Sequence, residues 1–179
     1  HIPLDVVLVN DQPQPIKTVG DFYQVLGQEQ VNLILTYDPE SNHWYSYFGD
    51  ASRGSMADRQ IEPDLGLITV MKQGVWLKLE GKRLDTGDRS VLSIRPGLNV
   101  IGMPLMSYNM VRVSDLLRLE GLRNNATSII VADGDMFKVV SRPGDDGDFR
   151  LAGGQAFIIN ARQKAEVPIV GTTWRAFWK

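Results

Sequence analysis

The chain has 179 residues, 43% hydrophobic and 22% charged, with a formal net charge of -2 and no cysteine. That length suits one medium domain or two small ones with a core of their own. Disulfides, thiol catalysis and thiolate metal sites are excluded, scattered Lys and Arg give no basic stripe of the kind a nucleic-acid binder carries, and no apolar run reaches the roughly 18 to 20 residues that cross a bilayer.

In chain order, a strand end at Ile2-Pro3-Leu4 comes first, and the start at His1 rather than Met reads as a processed or excised product that begins partway through a repeat. "TVGDFYQVLG" (Thr18 to Gly27) predicts a helix with Asp21 in its first turn, Phe22, Val25 and Leu26 on the apolar face and Gly27 as its stop. "VNLILTYD", the turn "PESN" and "HWYSYF" predict a hairpin. A polar loop, Gly49 to Asp64, leads to a last hairpin of "LITVM" with "VWLKLEG", and Lys82 to Ser90, "KRLDTGDRS", reads as a linker.

"VLSIRPGLNVIGMPL" then opens a second series, again ending in Pro-Leu. Ser114 is placed as N-cap of a helix carrying Asp115 in its first turn, with Val113, Leu116, Leu117 and Leu119 apolar and Gly121 at its end. "SIIVA", "DGD" and "MFKVV" predict a tighter hairpin, "SRPGDDGDF" a polar loop, and "AFIINA" with "AEVPIVG" a closing hairpin. The tail "WRAFWK" alternates as a strand with Trp174, Ala176 and Trp178 on one face.

The two series align. "TVGDFYQVLG" faces "RVSDLLRLEG" with Asp21 on Asp115, "LILTYD" faces "SIIVAD" with Asp38 on Asp133, and Leu67 to Gly81 faces Phe157 to Gly171 without a gap. The expected fold is α+β and mostly β, with a first unit over residues 1–88 and a second over 89–179. Each unit has about five strands and one short helix, and the two pack as one pseudo-symmetric sandwich or barrel. The same alignment sets Tyr45 and Tyr47 against Phe137 and Val139 as inward-facing pairs.

"PGLNVIGMPL", "VSDLL", "TYDPESNHWYSY" and "GGQAFIINA" resemble a β-rich module of large bacterial secreted and cell-surface proteins. Its pattern is a Gly-Trp-Asn-Leu-Ile-Gly-x-Pro opening, a Trp-x-Tyr-Asp hairpin and a Pro-Gly-x-Gly-Tyr-Trp-Val strand. The resemblance implies a secreted or cell-surface location, neighbouring domains in a larger parent protein, and a structural or adhesive role. It implies no activity.

Candidate chemistry is sparse. Asp85-Thr86-Gly87 matches the aspartic-protease triplet, but that chemistry requires a second copy and the chain has none. Asp133, Asp135, Asp145, Asp146 and Asp148 crowd two short turns and are the carboxylates a calcium ion would use, although no complete calcium-loop pattern surrounds them. With only His1 and His43, no histidine-based metal site or Ser-His-Asp triad is legible, and no cofactor is expected. Asn125-Ala126-Thr127 matches the glycosylation sequon. Alternation sets Trp44 and Phe48 opposite Tyr45 and Tyr47, so Trp44, Tyr45, Phe48, Trp174 and Trp178 are the aromatics that could stack on a sugar or a partner protein. The expectation is a non-enzymatic extracellular module, with carbohydrate binding as its alternative. Its partners are neighbouring domains, carbohydrate or another surface protein, with neither nucleic acid nor a membrane span.

Overall fold

The computed structural model describes residues 7–9, 12–14, 16–62, 64–75, 79–80, 89–103, 105–107, 110–133, 136–151 and 155–172, and structural statements concern these alone. The first half runs β1 (Val7–Val9), β2 (Gln12–Gln14), α1 (Val19–Leu26), β3 (Val31–Asp38), β4 (His43–Tyr47), a short 3-10 turn (Asp50–Ser52), β5 (Ile68–Met71) and β6 (Leu79–Glu80). The second runs β7 (Arg89–Ile94), β8 (Gly97–Gly102), β9 (Met106–Ser107), α2 (Val113–Leu116), β10 (Ala126–Asp133), β11 (Met136–Val140), β12 (Ala156–Ala161) and β13 (Ala165–Thr172). The chain is therefore mostly β. All strand pairs are antiparallel, in four groups ordered β2-β1-β6, β4-β3-β5, β11-β10-β12-β8 and β7-β13-β9. Among the described residues they form no closed barrel.

Two extended stretches each bend once and so serve two sheets. β8 pairs with β12 from Gly97↔Ala161 to Gly102↔Ala156, and β7 pairs with β13 from Ile94↔Ala165 to Arg89↔Val170. The expected closing hairpin of "AFIINA" on "AEVPIVG" therefore does not form: β12 and β13 lie in different sheets, joined at a corner. A buried asparagine holds each corner. Asn99 Oδ1 accepts from the Arg95 N–H at 2.8 Å while its amide donates to the carbonyls of Arg95, Gly97 and Ile159. Asn125 Oδ1 accepts from Arg162 N–H (3.0 Å) and Gln163 N–H (2.9 Å), and its amide donates to the Gly121 and Gln163 carbonyls. Backbone groups freed from the ladder by a bend need such partners when they are shielded from water.

The inner faces of these two sheets close over one core. Leu92, Ile94, Ile129, Phe157, Ile159 and Ile169 are each 0–1% exposed, and Val113, Leu116 and Leu122 from the α2 segment complete it. A smaller core in the first half joins Val19, Tyr23 and Leu26 of α1 to Val31, Ile34 and Tyr47. The helices start where Asp21 and Asp115 predict. Asp21 accepts from the N–H groups of Lys17 and Thr18, and its own N–H donates to the Thr18 hydroxyl oxygen. Asp115 accepts from the N–H groups of Val111 and Arg112. The N-cap position of α2 is thus Arg112, and Ser114 lies inside the first turn instead of capping it. Gly27 and Gly121, where the two segments end, both have φ of 88°, a conformation that disfavours any residue with a Cβ.

Strand register corrects one pairing. Ile34 opposes Tyr47 and Ile129 opposes Val140, so Val140 is the inward counterpart of Tyr47, and Phe137 sits where Trp44 does. Phe137 and Val139 are 56% and 54% exposed, outside the core. The turn spans four residues after β3 and two after β10, and the alignment of β4 with β11 is one residue out, a slip that exchanges the two faces of a strand.

A methyl group at Gly20 would lie 2.7 Å from the Tyr47 hydroxyl and 2.8 Å from Asp58 Oδ1. The corresponding positions in the second half hold Ser114 and Val140, a larger residue beside a smaller one. Gly20→Ala should therefore destabilise the protein by about 1–3 kcal/mol through overpacking. Adding Tyr47→Val to Gly20→Ser should recover about 1 kcal/mol relative to the sum of the single effects in a urea-unfolding cycle; simple additivity would show that the two positions do not share this space.

Candidate functional site: apolar sheet faces and acidic loops

The sequence-predicted aromatics do not share one platform. β4 alternates, so Tyr47 enters the core at 0% exposure while Trp44 points to the opposite face. Trp44 is 37% exposed and leans on Tyr37, the residue opposite it in β3, with ring centroids 4.9 Å apart. Tyr37 is itself fixed by a 2.5 Å bond from its hydroxyl to Asn42 Oδ1. Phe48, just past the strand end, is 59% exposed, and its N–H donates to the Ser52 hydroxyl. Tyr45 turns to the inner side, half-buried, against His43 (4.9 Å) and beneath the Arg59 guanidinium (5.8 Å). Trp174 and Trp178 lie outside the described residues, as do the Asp85-Thr86-Gly87 triplet and the Ile2 to Leu4 strand end.

The outer face of the second sheet is apolar in register. Val139, Ile130, Ile158 and Val100 lie in one row across β11, β10, β12 and β8, and Phe137 stands opposite Ala132 in the next row. The segment from Asp64 to Gly66 pairs along the edge of β8 beside this face. Leu65 bridges Ile101, Gly66 N–H donates to the Val100 carbonyl, and Gly102 N–H donates to the Asp64 carbonyl. A Cβ at Gly66 would come within 2.8 Å of Ile101 N, so only glycine permits the approach. Leu67, Ile68 and Thr69 then wall one side of a cavity of about 320 Å³ over the row.

In the acidic loops the described carboxylates of Asp145 and Asp148 accept backbone N–H groups. Asp148 is 4% exposed. Its Oδ1 accepts from Ser114 N–H at 2.8 Å and its Oδ2 from Gly144 N–H at 3.0 Å. Arg112 contacts it across 3.8 Å and also donates to its main-chain carbonyl. Asp145 accepts from the N–H groups of Ser141 and Arg142 and from Arg142 Nε, and those N–H bonds, led by Ser141, hold its carboxyl below the ordinary range. Asp146 is exposed, while the Asp133 side chain and Asp135 lie outside the described residues. Among the described residues no three His, Asp or Glu side chains are arranged to hold a metal ion. Asn125 of the sequon is 4% exposed and serves the corner described above, so a glycan on it would have to displace four hydrogen bonds.

One aspartate went unnoticed in the sequence. Asp58 accepts from Gly20 N–H (2.8 Å) through Oδ1 and from Gly54 N–H (3.1 Å) through Oδ2, the bonds Asp148 makes at Ser114 and Gly144. The flanking backbone bonds recur too: Val19 N–H to Arg59 O and Ile61 N–H to Lys17 O in one half, Val113 N–H to Phe149 O and Leu151 N–H to Val111 O in the other. The signal was the spacing Gly-x-x-x-Asp, present as "GSMAD" and "GDDGD" in the two polar loops.

Comparison of the chain with protein-family models, with curated proteins and with solved structures finds no match. No helix among the described residues is long and apolar enough to cross a membrane.

Burial pushes the carboxyls of Asp58 and Asp148 upward, but the glycine N–H bonds, the neighbouring hydroxyls of Thr18 and Ser114, the second N–H donors and the arginines outweigh it, and both settle below the ordinary value of 3.8. A depressed carboxylate pKa adds stability that is present above the unfolded-state value and disappears as pH falls through the folded one. Urea midpoints should hold from neutral pH down to about that unfolded value and fall below it. Asp148→Asn should cost about 1–3 kcal/mol at neutral pH, since an amide offers one acceptor where the N–H donors need two, and should flatten the acid limb. An unchanged midpoint for Asp148→Asn would mean that the clamp does not support the fold.

Proposed function

We propose that the chain is a non-enzymatic extracellular structural or adhesion module of a larger bacterial surface protein, built from two copies of one unit joined near residues 88 and 89. The two-copy reading is supported by the matched bonds at Asp58 and Asp148, the matched helix starts at Asp21 and Asp115, and the bulges at Val31/Leu33 and Ala126/Ser128. The adhesive role rests on one observation. An aromatic stands exposed at the same register position of each outer sheet face, Trp44 in the first half and Phe137 in the second. Exposed aromatics on a rigid sheet supply contact area at little entropic cost, which is what partner surfaces select.

The aromatic pair Trp44–Tyr37 favours carbohydrate as a second reading, because a tilted, fixed ring with one open face suits the apolar side of a sugar. Two measurements separate these readings. Beads coated with the protein should be retained on immobilised cell-surface material, and Trp44→Ala with Phe137→Ala should reduce retention about tenfold, a loss of about 1.4 kcal/mol, at an unchanged melting temperature. Retention of the variant equal to that of the parent would sink the adhesive reading. Titration with a glycan panel should shift tryptophan fluorescence only if sugar is the ligand, and a shift surviving Trp44→Ala would exclude this face as the sugar site.

A further inference from the structure

The cavity under Leu67 to Thr69 has no place in the adhesive reading, and the inference it carries does not rest on that reading. Its floor is the outer face of the second sheet, with Ile130 and Ile158 in register, and its wall comes from the chain segment that enters β5. It therefore lies where elements of the two cores meet, a setting in which ligand pockets concentrate, and its volume of about 320 Å³ falls within the range such pockets occupy. An antiparallel sheet with one face on a core ordinarily turns polar residues to the other; here Val139, Ile130, Ile158 and Val100 make an apolar row instead.

We infer that this cavity binds a small uncharged and mainly apolar molecule with a hydrogen-bonding group, of the size of a fused two-ring compound. The chemistry follows from the lining. None of its residues is charged; the polar side chains are those of Thr69 and Gln155, and polar atoms share the exposed lining with apolar carbon in nearly equal measure, so the ligand has a hydrogen-bonding edge as well as an apolar body. A charged group drawn inside would lose its hydration without a counter-charge, which disfavours it strongly. Enclosed cavities about half this volume take up benzene, so by size alone this open cleft admits a ligand of two rings. The exposed ring of Phe137 stands at the cavity as a further apolar surface for the ligand to cover.

The test uses the whole chain and the neutral probe N-phenyl-1-naphthylamine, whose fluorescence rises in apolar surroundings. The expected result is saturable one-site binding that is the same in low and high salt. Ala156→Leu and Ile158→Phe, two independent ways of filling the space, should each weaken binding by about tenfold or more while circular dichroism and melting temperature show a folded protein. Val91→Ser, which removes an exposed apolar residue from the other sheet, should leave binding unchanged. The inference is overturned if the folded parent chain shows no saturable binding. It is equally overturned if either folded filling variant binds as tightly as the parent, if Val91→Ser weakens binding as much as they do, or if salt weakens binding as it would for a charged contact.

Discussion

A carboxylate drawn away from water must find donors for its oxygens, and the architecture of each half depends on how one aspartate, buried Asp148 or half-buried Asp58, meets that demand. Asp58 and Asp148 each take one N–H from the first turn of a helical segment and one from a glycine in the polar loop four residues upstream. The loop is thereby tied to the start of the helix. The bridges Thr18↔Gln60 and Arg112↔Arg150 continue the tie as backbone pairing. This matters most for α2, which spans four residues and is far too short to persist by its own propensity. It exists because Asp115 binds the N–H groups before it, Asp148 binds one within it, and Val113 and Leu116 are fully buried beneath it.

The corners set by Asn99 and Asn125 have the next largest consequence. Because β7 and β8 bend beside β12 and β13, one pair of extended stretches supplies both layers of the larger core, an economy familiar from orthogonally packed sheets. The bend also turns the outer face of β8 and β12 toward the segment from Asp64 to Thr69, and Gly66 lets that segment touch β8 backbone to backbone. Corner, close approach and cavity are therefore consecutive effects of a few positions: two buried asparagines and one glycine.

Much of the local structure is legible in the sequence. The helix starts at Asp21 and Asp115, the stops at Gly27 and Gly121, and the hairpins ending at Asp38 and Asp133 are all governed by contacts within a few residues, which short-range pattern captures. What it does not capture is long-range. "AFIINA" and "AEVPIVG" have the alternation of a hairpin, yet β12 pairs with β8 and β10 while β13 pairs with β7 and β9, and alternation says nothing about partner choice. The sequence alignment sets Phe137 on Tyr45 where the register sets it on Trp44, and a slip of one residue exchanges the two faces of a strand. Asp145 and Asp148 look like cation ligands in a list of residues and act as acceptors for N–H donors in three dimensions. Asp58 is visible only once its spacing from Gly54 is compared with that of Asp148 from Gly144.

The outer faces carry the remaining physical tension. Trp44 and Val70 on one sheet, and Phe137 and Val139 on the other, are each more than a third exposed, although an isolated antiparallel sheet gains nothing in folding from apolar residues turned to water. The two inner faces already supply the cores, so these residues are not needed to close the fold. The second face is partly roofed by Leu67 to Thr69, and the roof stops short of contact along the row of Ile130 and Ile158, leaving space that the floor residues could have filled had they been larger. A surface selected only for solubility would place charge there, as β11 does with Lys138 on its other side, toward the rim of the core. Apolar residues kept in register on a face that the fold leaves open are best accounted for by something that covers them.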